Sequence, residues 1–227
     1  MKRLLRNETL LSTLLMLTTA LGITVTGIMY HQSFLRILPL YVSLFIGILS
    51  AHANRYANLL GGVNSIFYMF VYLYLGLYAS AGYALLFSCP VQLITFFLWS
   101  RRAYGNSTWF RSMTWKQRGL VLVLFLIAAV TILEVLQHTD SNHQLLDTFS
   151  SLLGILNSIL TMLAFIEYTW ISIPGGVISI MLNFATMTEH PEQITYLIYS
   201  FYSLICILIG IYHVQKLYSK QTSSSCE

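Results

Sequence analysis

Gly61-Gly62-Val63-Asn64-Ser65-Ile66 recurs as Gly175-Gly176-Val177-Ile178-Ser179-Ile180, 114 residues further along the chain. The same offset lays three long apolar stretches on three others: 34–53 on 145–166, 57–76 on 168–187, and 80–100 on 193–216. Arg101-Arg102 then falls on Gln215-Lys216, just past the last pair. A six-residue match by itself is weak. Three stretches in register with their flanks make an internal duplication the better reading, each copy being a unit of three helices.

The solvent of these stretches is read from the composition, which is 56% hydrophobic and only 9% charged. A soluble domain carries about 25% charged residues, so there is too little polar surface here to cover a water-soluble globule. About 20 apolar residues cross a bilayer as a helix, with every backbone hydrogen bond satisfied internally. The strands of a β-barrel are about half as long and alternate in polarity, a pattern these runs lack. Two further spans, 9–30 and 118–137, bring the expected total to eight. Met1-Lys2-Arg3-Leu4-Leu5-Arg6 and the apolar run after it mimic a secretory signal, but no small-x-small cleavage site follows, and the segment reads as a retained first helix.

Eight spans put both termini on one side. Lys2, Arg3, Arg6, Arg55, Arg101, Arg102, Arg111, Lys116, Arg118, Lys216 and Lys220 then share that side, leaving Arg36 opposite. Eleven of twelve basic residues on one face is a strong positive-inside pattern, so both termini are expected in the cytoplasm and the protein in the cell (inner) membrane. The opposite loops are expected to carry Asp140, Asp147, Glu189 and Glu192. This distribution also explains the net charge of +4 without nucleic acid, since the basic residues are spread over the ends of spans.

One span between two three-helix units makes the units parallel, related by a pseudo-twofold along the membrane normal. The chain then divides into an N-terminal helix (1–33), a first repeat (34–102), a basic loop and linker helix (103–144), a second repeat (145–217) and a polar tail (218–227). Such symmetry puts a site on the axis between the units, as in transporters that rock one half against the other.

Polar groups deep in a span are costly and mark either a cavity or an interhelical bond. Gln92, inside Pro90-Val91-Gln92, offers an amide that both donates and accepts. Asn157 and Asn183 are similar. Asn64 and Tyr68 lie one helical turn apart on one face, as do Tyr199 and Tyr202. Their rings suit a planar heterocycle. Trp99, Trp109 and Trp115 flank the basic loop as an interfacial belt would. Glu167, near the basic end of its span, is expected to pair with Arg55 as a gate or structural pair, and Glu134 to snorkel. Cys89, Cys206 and Cys226 have no metal-ligand spacing. No H-E-x-x-H helix, G-x-S-x-G elbow or P-loop is present, so neither an enzyme nor a cofactor or metal site is expected.

These spans and polar positions resemble the PnuC family of vitamin transporters, known for nicotinamide riboside uptake. Pro90-Val91-Gln92 through Trp99 looks like the family's P-x-Q-x-x-G-x-x-x-W, with Thr95 in place of the glycine. Asp147 through Glu167 has the family's acid-to-acid separation, and Gly61 through Tyr68 and Leu77-Tyr78 also fit. The resemblance implies a 3+1+3 core similar to SWEET sugar transporters behind an extra N-terminal helix. It also implies facilitated diffusion drawn by cytoplasmic phosphorylation of the substrate, and a homo-oligomer, usually a trimer. Where the family shows W-x-x-W and then Asn after the acid, this chain has Thr169, Ser172 and Gly176, with a tryptophan displaced to Trp170, and the family's basic residue three before the acid is Ala164. Those positions border the family's pocket, and relatives carry thiamine, riboflavin or deoxynucleosides. A SWEET-like sugar carrier is the alternative within transport, and a polytopic receptor or intramembrane enzyme the alternative outside it.

Overall fold

The computed structural model describes residues 2–136 and 143–224, without the side chains of residues 2–10, 35, 135 and 136. Asp140 and Cys226 lie outside the described residues, as do the side chains of Lys2, Arg3 and Arg6. The chain forms helices α1 (Lys2–Met29), α2 (Phe34–Ala51), α3 (Tyr56–Tyr74), α4 (Tyr78–Arg101), α5 (Trp115–Leu136), α6 (Gln144–Met162), α7 (Tyr168–Glu189) and α8 (Ile194–Ser224). Each of the eight apolar runs read from the sequence falls on a helix. Among the described residues, α1 (from Leu11), α4, α5, α6, α7 and the Pro191–Ser224 stretch that includes α8 are long and apolar enough to cross a membrane. The described part of α2 is shorter, and α3 is diluted by Asn58, Asn64 and its tyrosines.

Within each triplet the second helix packs on both others: α3 on α2 and α4, α7 on α6 and α8. The first helix of each triplet packs on the third of the other, α2 on α8 and α6 on α4. These six contacts close a ring. Helix α1 lies outside it against α2 and α8, where Thr24 bonds the Tyr41 hydroxyl at 2.6 Å. Helix α5 lies outside against α6.

Four details depart from the sequence reading. Helix α4 carries a π-helical segment, Tyr83–Ser88, directly before Pro90. Proline removes one N–H and its ring collides with the carbonyl four residues back, and the wider π turn takes up that misfit. In the basic loop, Ala103–Tyr104 (β1) pairs antiparallel with Ser107–Thr108 (β2) across Gly105-Asn106, with Gly105 at φ +60°. Residues 218–224, expected as tail, continue α8, because Gln221 accepts from the Phe110 N–H and donates to the Thr108 carbonyl, both at 2.9 Å. Asp147, expected in a loop, lies inside α6 and is fully buried.

Candidate functional site

Inside the helix ring lies a cavity of about 410 Å³, within the range of small-ligand sites. Its wall runs from Tyr83, Gln92 and Ser150 in mid-helix to Asn54 and Asn58 at the α2–α3 turn, the end that carries the basic loops. The rings of Tyr83, Trp99, Tyr168 and Tyr199 and the amides of Gln92, Asn157, Asn54 and Asn58 supply its character. Among the described residues, no Asp, Glu, Lys, Arg or His lines it. The surroundings are therefore polar yet uncharged.

Several of its polar groups are tied to the wall. The Gln92 amide nitrogen donates to Ser88 Oγ at 2.5 Å and approaches Ser65 Oγ at 3.4 Å. Ser172 Oγ donates to Asn157 Oδ1 at 2.9 Å across α6 and α7. Tyr83, thrown inward by the π segment, meets Ser158 Oγ at 3.1 Å. The Trp99 indole N–H donates to the Thr161 carbonyl at 2.9 Å. Two glycines make room: a Cβ on Gly154 would come 2.8 Å from Tyr83 Cζ, and one on Gly61 would collide with Gln92 Oε1. Gly61, the first residue of the recurring motif, is thus the seat of the Gln92 amide.

Of the expected site residues, Gln92, Asn157, Tyr199 and Trp99 line the cavity. Trp99 is not the interfacial residue its neighbourhood suggested. It is 3% exposed and edge-on to Phe110, whereas Trp109 and Trp115 are exposed. Asn64, Tyr68, Asn183, Tyr202 and Trp170 lie elsewhere. Asn64 and Tyr68 do share a face, but it packs on α2: Asn64 Nδ2 donates to the Pro39 carbonyl and to Ser43 Oγ, and the Tyr68 hydroxyl meets the same Ser43 at 2.9 Å. Asn183 binds α7 to α8 through Ser200 Oγ at 2.8 Å. The Tyr202 hydroxyl donates to the Leu44 carbonyl at 2.6 Å behind Tyr199. Trp170 is 57% exposed on the outside of α7, one residue out of phase with Thr169, which lines the cavity together with Ser172 and Gly176.

Glu167 does not pair with Arg55. Its Oε1 accepts from Arg118 at 2.7 Å and from the Met113 N–H at 2.9 Å. The reason is the return of the loop before α5, where Arg111 bridges Phe165 and brings Arg118 over the α6–α7 corner. The Arg55 guanidinium lies 5.5 Å from the Tyr56 ring centre. Tyr83, Tyr168, Ser158 and the Asn54/Asn58 pair were not singled out from sequence; a trace exists only for Asn54, Asn58 and Tyr168, since the 114-residue shift lays Asn54 on Tyr168 and Asn58 on Ser172.

A family model described as nicotinamide mononucleotide transporter matches residues 33–213. Among solved structures, the crystal structure of the vitamin B3 transporter PnuC superposes with a TM-score of 0.80 at 18% identity, covering 93% of both chains. At that identity the likeness is one of fold. No curated protein matches the sequence.

Proposed function

This chain belongs to the nicotinamide mononucleotide transporter family, and we propose that it moves an unphosphorylated pyridine nucleoside, of the nicotinamide riboside kind, across a membrane. The observation that carries this reading is the uncharged, ring-lined wall of the cavity. A phosphate stripped of water needs a cation or several N–H donors, and the described lining offers no basic side chain. A pyridinium needs only ring faces, each worth about 0.5–2 kcal/mol to a desolvated cation, and ribose hydroxyls suit Gln92, Asn157 and Ser158. Transport is by facilitated diffusion, trapped on the cytoplasmic side by phosphorylation.

The 3+1+3 arrangement of parallel repeats, with the domain limits given above, belongs to the same proposal. It is supported by wall positions that match at the 114-residue offset: Gly47 with Thr161, Asn54 with Tyr168, Ala57 with Ile171, Asn58 with Ser172, and Gln92 with Cys206. The basic end, where Arg55, Arg101, Arg102 and Lys220 lie, is placed in the cytoplasm of an inner-membrane protein by the positive-inside rule. The exposed apolar face of α5, which includes Leu120, Leu124 and Ile127, is available to lipid or to further copies in a homo-oligomer such as a trimer.

One observation favours a second substrate. Thr169, Ser172 and Gly176 are small where the resembled family has bulky side chains, which leaves space for a larger ring system such as that of thiamine or riboflavin. Proteoliposomes offered labelled nicotinamide riboside, its mononucleotide, thiamine and riboflavin decide between them. Accumulation of the riboside and exclusion of the mononucleotide is the expected result. Entry of thiamine or riboflavin in its place moves the assignment to the second substrate, and uptake of none by folded protein overturns both.

A further inference from the structure

The stretch 103–114 crosses the basic end of the helix ring and is fastened to both triplets through its backbone. On the first triplet, the Asn106 carbonyl accepts from the Arg55 N–H of the α2–α3 turn at 3.0 Å. On the second, the Arg111 N–H donates to the Ala164 carbonyl and the Arg111 carbonyl accepts from the Ile166 N–H, both at 2.9 Å. This sets Arg111 beside Phe165 as a single bridge at the α6–α7 corner, with its guanidinium 4.3 Å from the Phe165 ring centre. Between the two anchors, Gln221 near the end of α8 takes the Phe110 N–H and the Thr108 carbonyl with one amide.

What this fastening holds in place is the Phe110 ring. It is buried in a cluster with Ala53, Trp99, Ala164 and Val214, against which Tyr168 also packs. The ring meets Trp99 edge-on, with centres 5.7 Å apart, and lies 6.3 Å from the Tyr168 ring. Ala53, Trp99 and Tyr168 line the cavity, so Phe110 stands directly behind the wall, on the side of the basic loops. It touches the ends of α2 and α4 from one triplet, and the α6–α7 corner and α8 from the other. We propose that 103–114 is a strap and Phe110 its plug: the ring closes the cavity toward the basic end, and lifts when Gln221 lets go, so that a ligand can pass there. The proposal rests on the transport reading above. One ring and a few backbone hydrogen bonds on an irregular segment are the holding force of a lid, which opens locally without unfolding the helices around it.

The test reads access to Cys206, which lines the cavity, after Cys89→Ser and Cys226→Ser have made it the single cysteine. A charged, membrane-impermeant thiol reagent is applied to everted and to right-side-out membrane vesicles. A separate variant whose one cysteine is Lys220→Cys marks the basic side. Phe110→Ala is expected to raise the labelling rate of Cys206 from the basic side about tenfold, the size of a lost edge-to-face contact, and to leave labelling from the opposite side unchanged. Gln221→Ala, which frees the strap but keeps the ring, raises it several-fold. Phe110→Leu keeps most of the plug's volume and stays close to the parent rate. A general loosening of the fold raises labelling from both sides alike, and that result overturns the inference. So do parent rates in folded Phe110→Ala and Gln221→Ala; the second carries the test if the first does not fold. Labelling needs no ligand, so failure of the riboside to enter proteoliposomes removes the substrate reading and leaves the strap standing, while parent labelling rates remove the strap and leave the substrate reading untouched.

Discussion

The two helix triplets meet twice at the end opposite the basic loops, and the two junctions differ in chemistry. In both, the first turn of a first helix reaches the start of the other triplet's third helix. At α6 and α4 the link is a carboxylate on a helix N-terminus: Asp147 accepts from the Ala79 and Ser80 N–H groups at 3.1 Å each and from the Ser80 hydroxyl, fully enclosed. At α2 and α8 the link is an ion pair, Arg36 to Glu192 at 3.0 Å, with both side chains partly exposed. It is braced by the Tyr196 hydroxyl on the Arg36 carbonyl, by Gln32 on the Glu192 carbonyl and by the Tyr74 ring under the guanidinium. A buried cap has no solvent-stabilised alternative, whereas a partly wet ion pair exchanges its partner for water and salt. The assembly of the two triplets thus has one fixed joint and one that can yield.

Breaking the fixed joint gives the largest expected effect. Asp147→Ala strands two first-turn N–H groups and leaves the buried Ser80 hydroxyl only its 3.3 Å contact with Ser151 Oγ, a loss of about 3–5 kcal/mol when the desolvation of each is counted. The thermal midpoint of detergent-solubilised protein should fall steeply, and Asp147→Asn, which keeps one acceptor oxygen, should recover part of the fall. Arg36→Ala comes next, at about 1–2 kcal/mol, below the values for fully buried pairs because solvent still reaches both partners. The two joints also separate by salt. Raising sodium chloride to about 1 M, where the Debye length is about 3 Å, should shrink the Arg36→Ala effect and leave that of Asp147→Ala unchanged. Equal salt dependence would show that the joints do not differ as described.

The periodic features of this asymmetry could be read from sequence, and its side-chain choices could not. Eight helices and their order follow from apolar runs, because a lipid-facing helix must be long, while the seat of Gln92 on Gly61 emerged only from the packing of α3 on α4. Gln92, Asn157 and Tyr199 were legible as deep polar or aromatic groups within such runs, whereas Trp99, read as interfacial, is buried. The rest of the wall depends on rotation about helix axes. Trp170 and Thr169 differ by about 100° around α7, and that angle sends one to the outside and the other to the cavity. Asn64 and Tyr68 were correctly placed on one face, but which neighbour that face meets is a tertiary fact. Glu167 found Arg118 in place of Arg55 because an irregular loop, with no periodicity to read, carries the arginine back across the corner.

The glycine pair gives a smaller contrast between the triplets. Gly61→Ala drives a methyl group into Gln92 Oε1, the movable end of a long side chain, so stability should change little while ligand affinity drops about tenfold. Gly175→Ala meets only Leu153 Cβ at 3.8 Å, and should gain about 0.5–1 kcal/mol of stability from helix propensity. Titration of ligand into the first and thermal unfolding of the second measure the two outcomes. Destabilisation of both to the same degree would mean that the two copies of the motif pack alike.

The smallest expected effect lies where the triplets agree. Helices α2 and α6 both end in a left-handed alanine, Ala53 at φ +49° and Ala164 at φ +56°. Each closes the same pair of bonds: Ala53 N–H to the Ser50 carbonyl and Asn54 N–H to that of Leu49, Ala164 N–H to the Thr161 carbonyl and Phe165 N–H to that of Leu160. A left-handed alanine costs about 1–2 kcal/mol that glycine does not, while glycine gives back about 0.5–1 kcal/mol in unfolded-chain entropy. Ala53→Gly and Ala164→Gly should therefore leave the thermal midpoint level or slightly raised, by about 0.5 kcal/mol each. Ala129→Gly, in the regular interior of α5, should lower it by about 1 kcal/mol. The sign separates the two kinds of position. A loss at either corner as large as that at Ala129 would mean that its alanine methyl is needed for packing, and that the agreement between the triplets stops at the backbone.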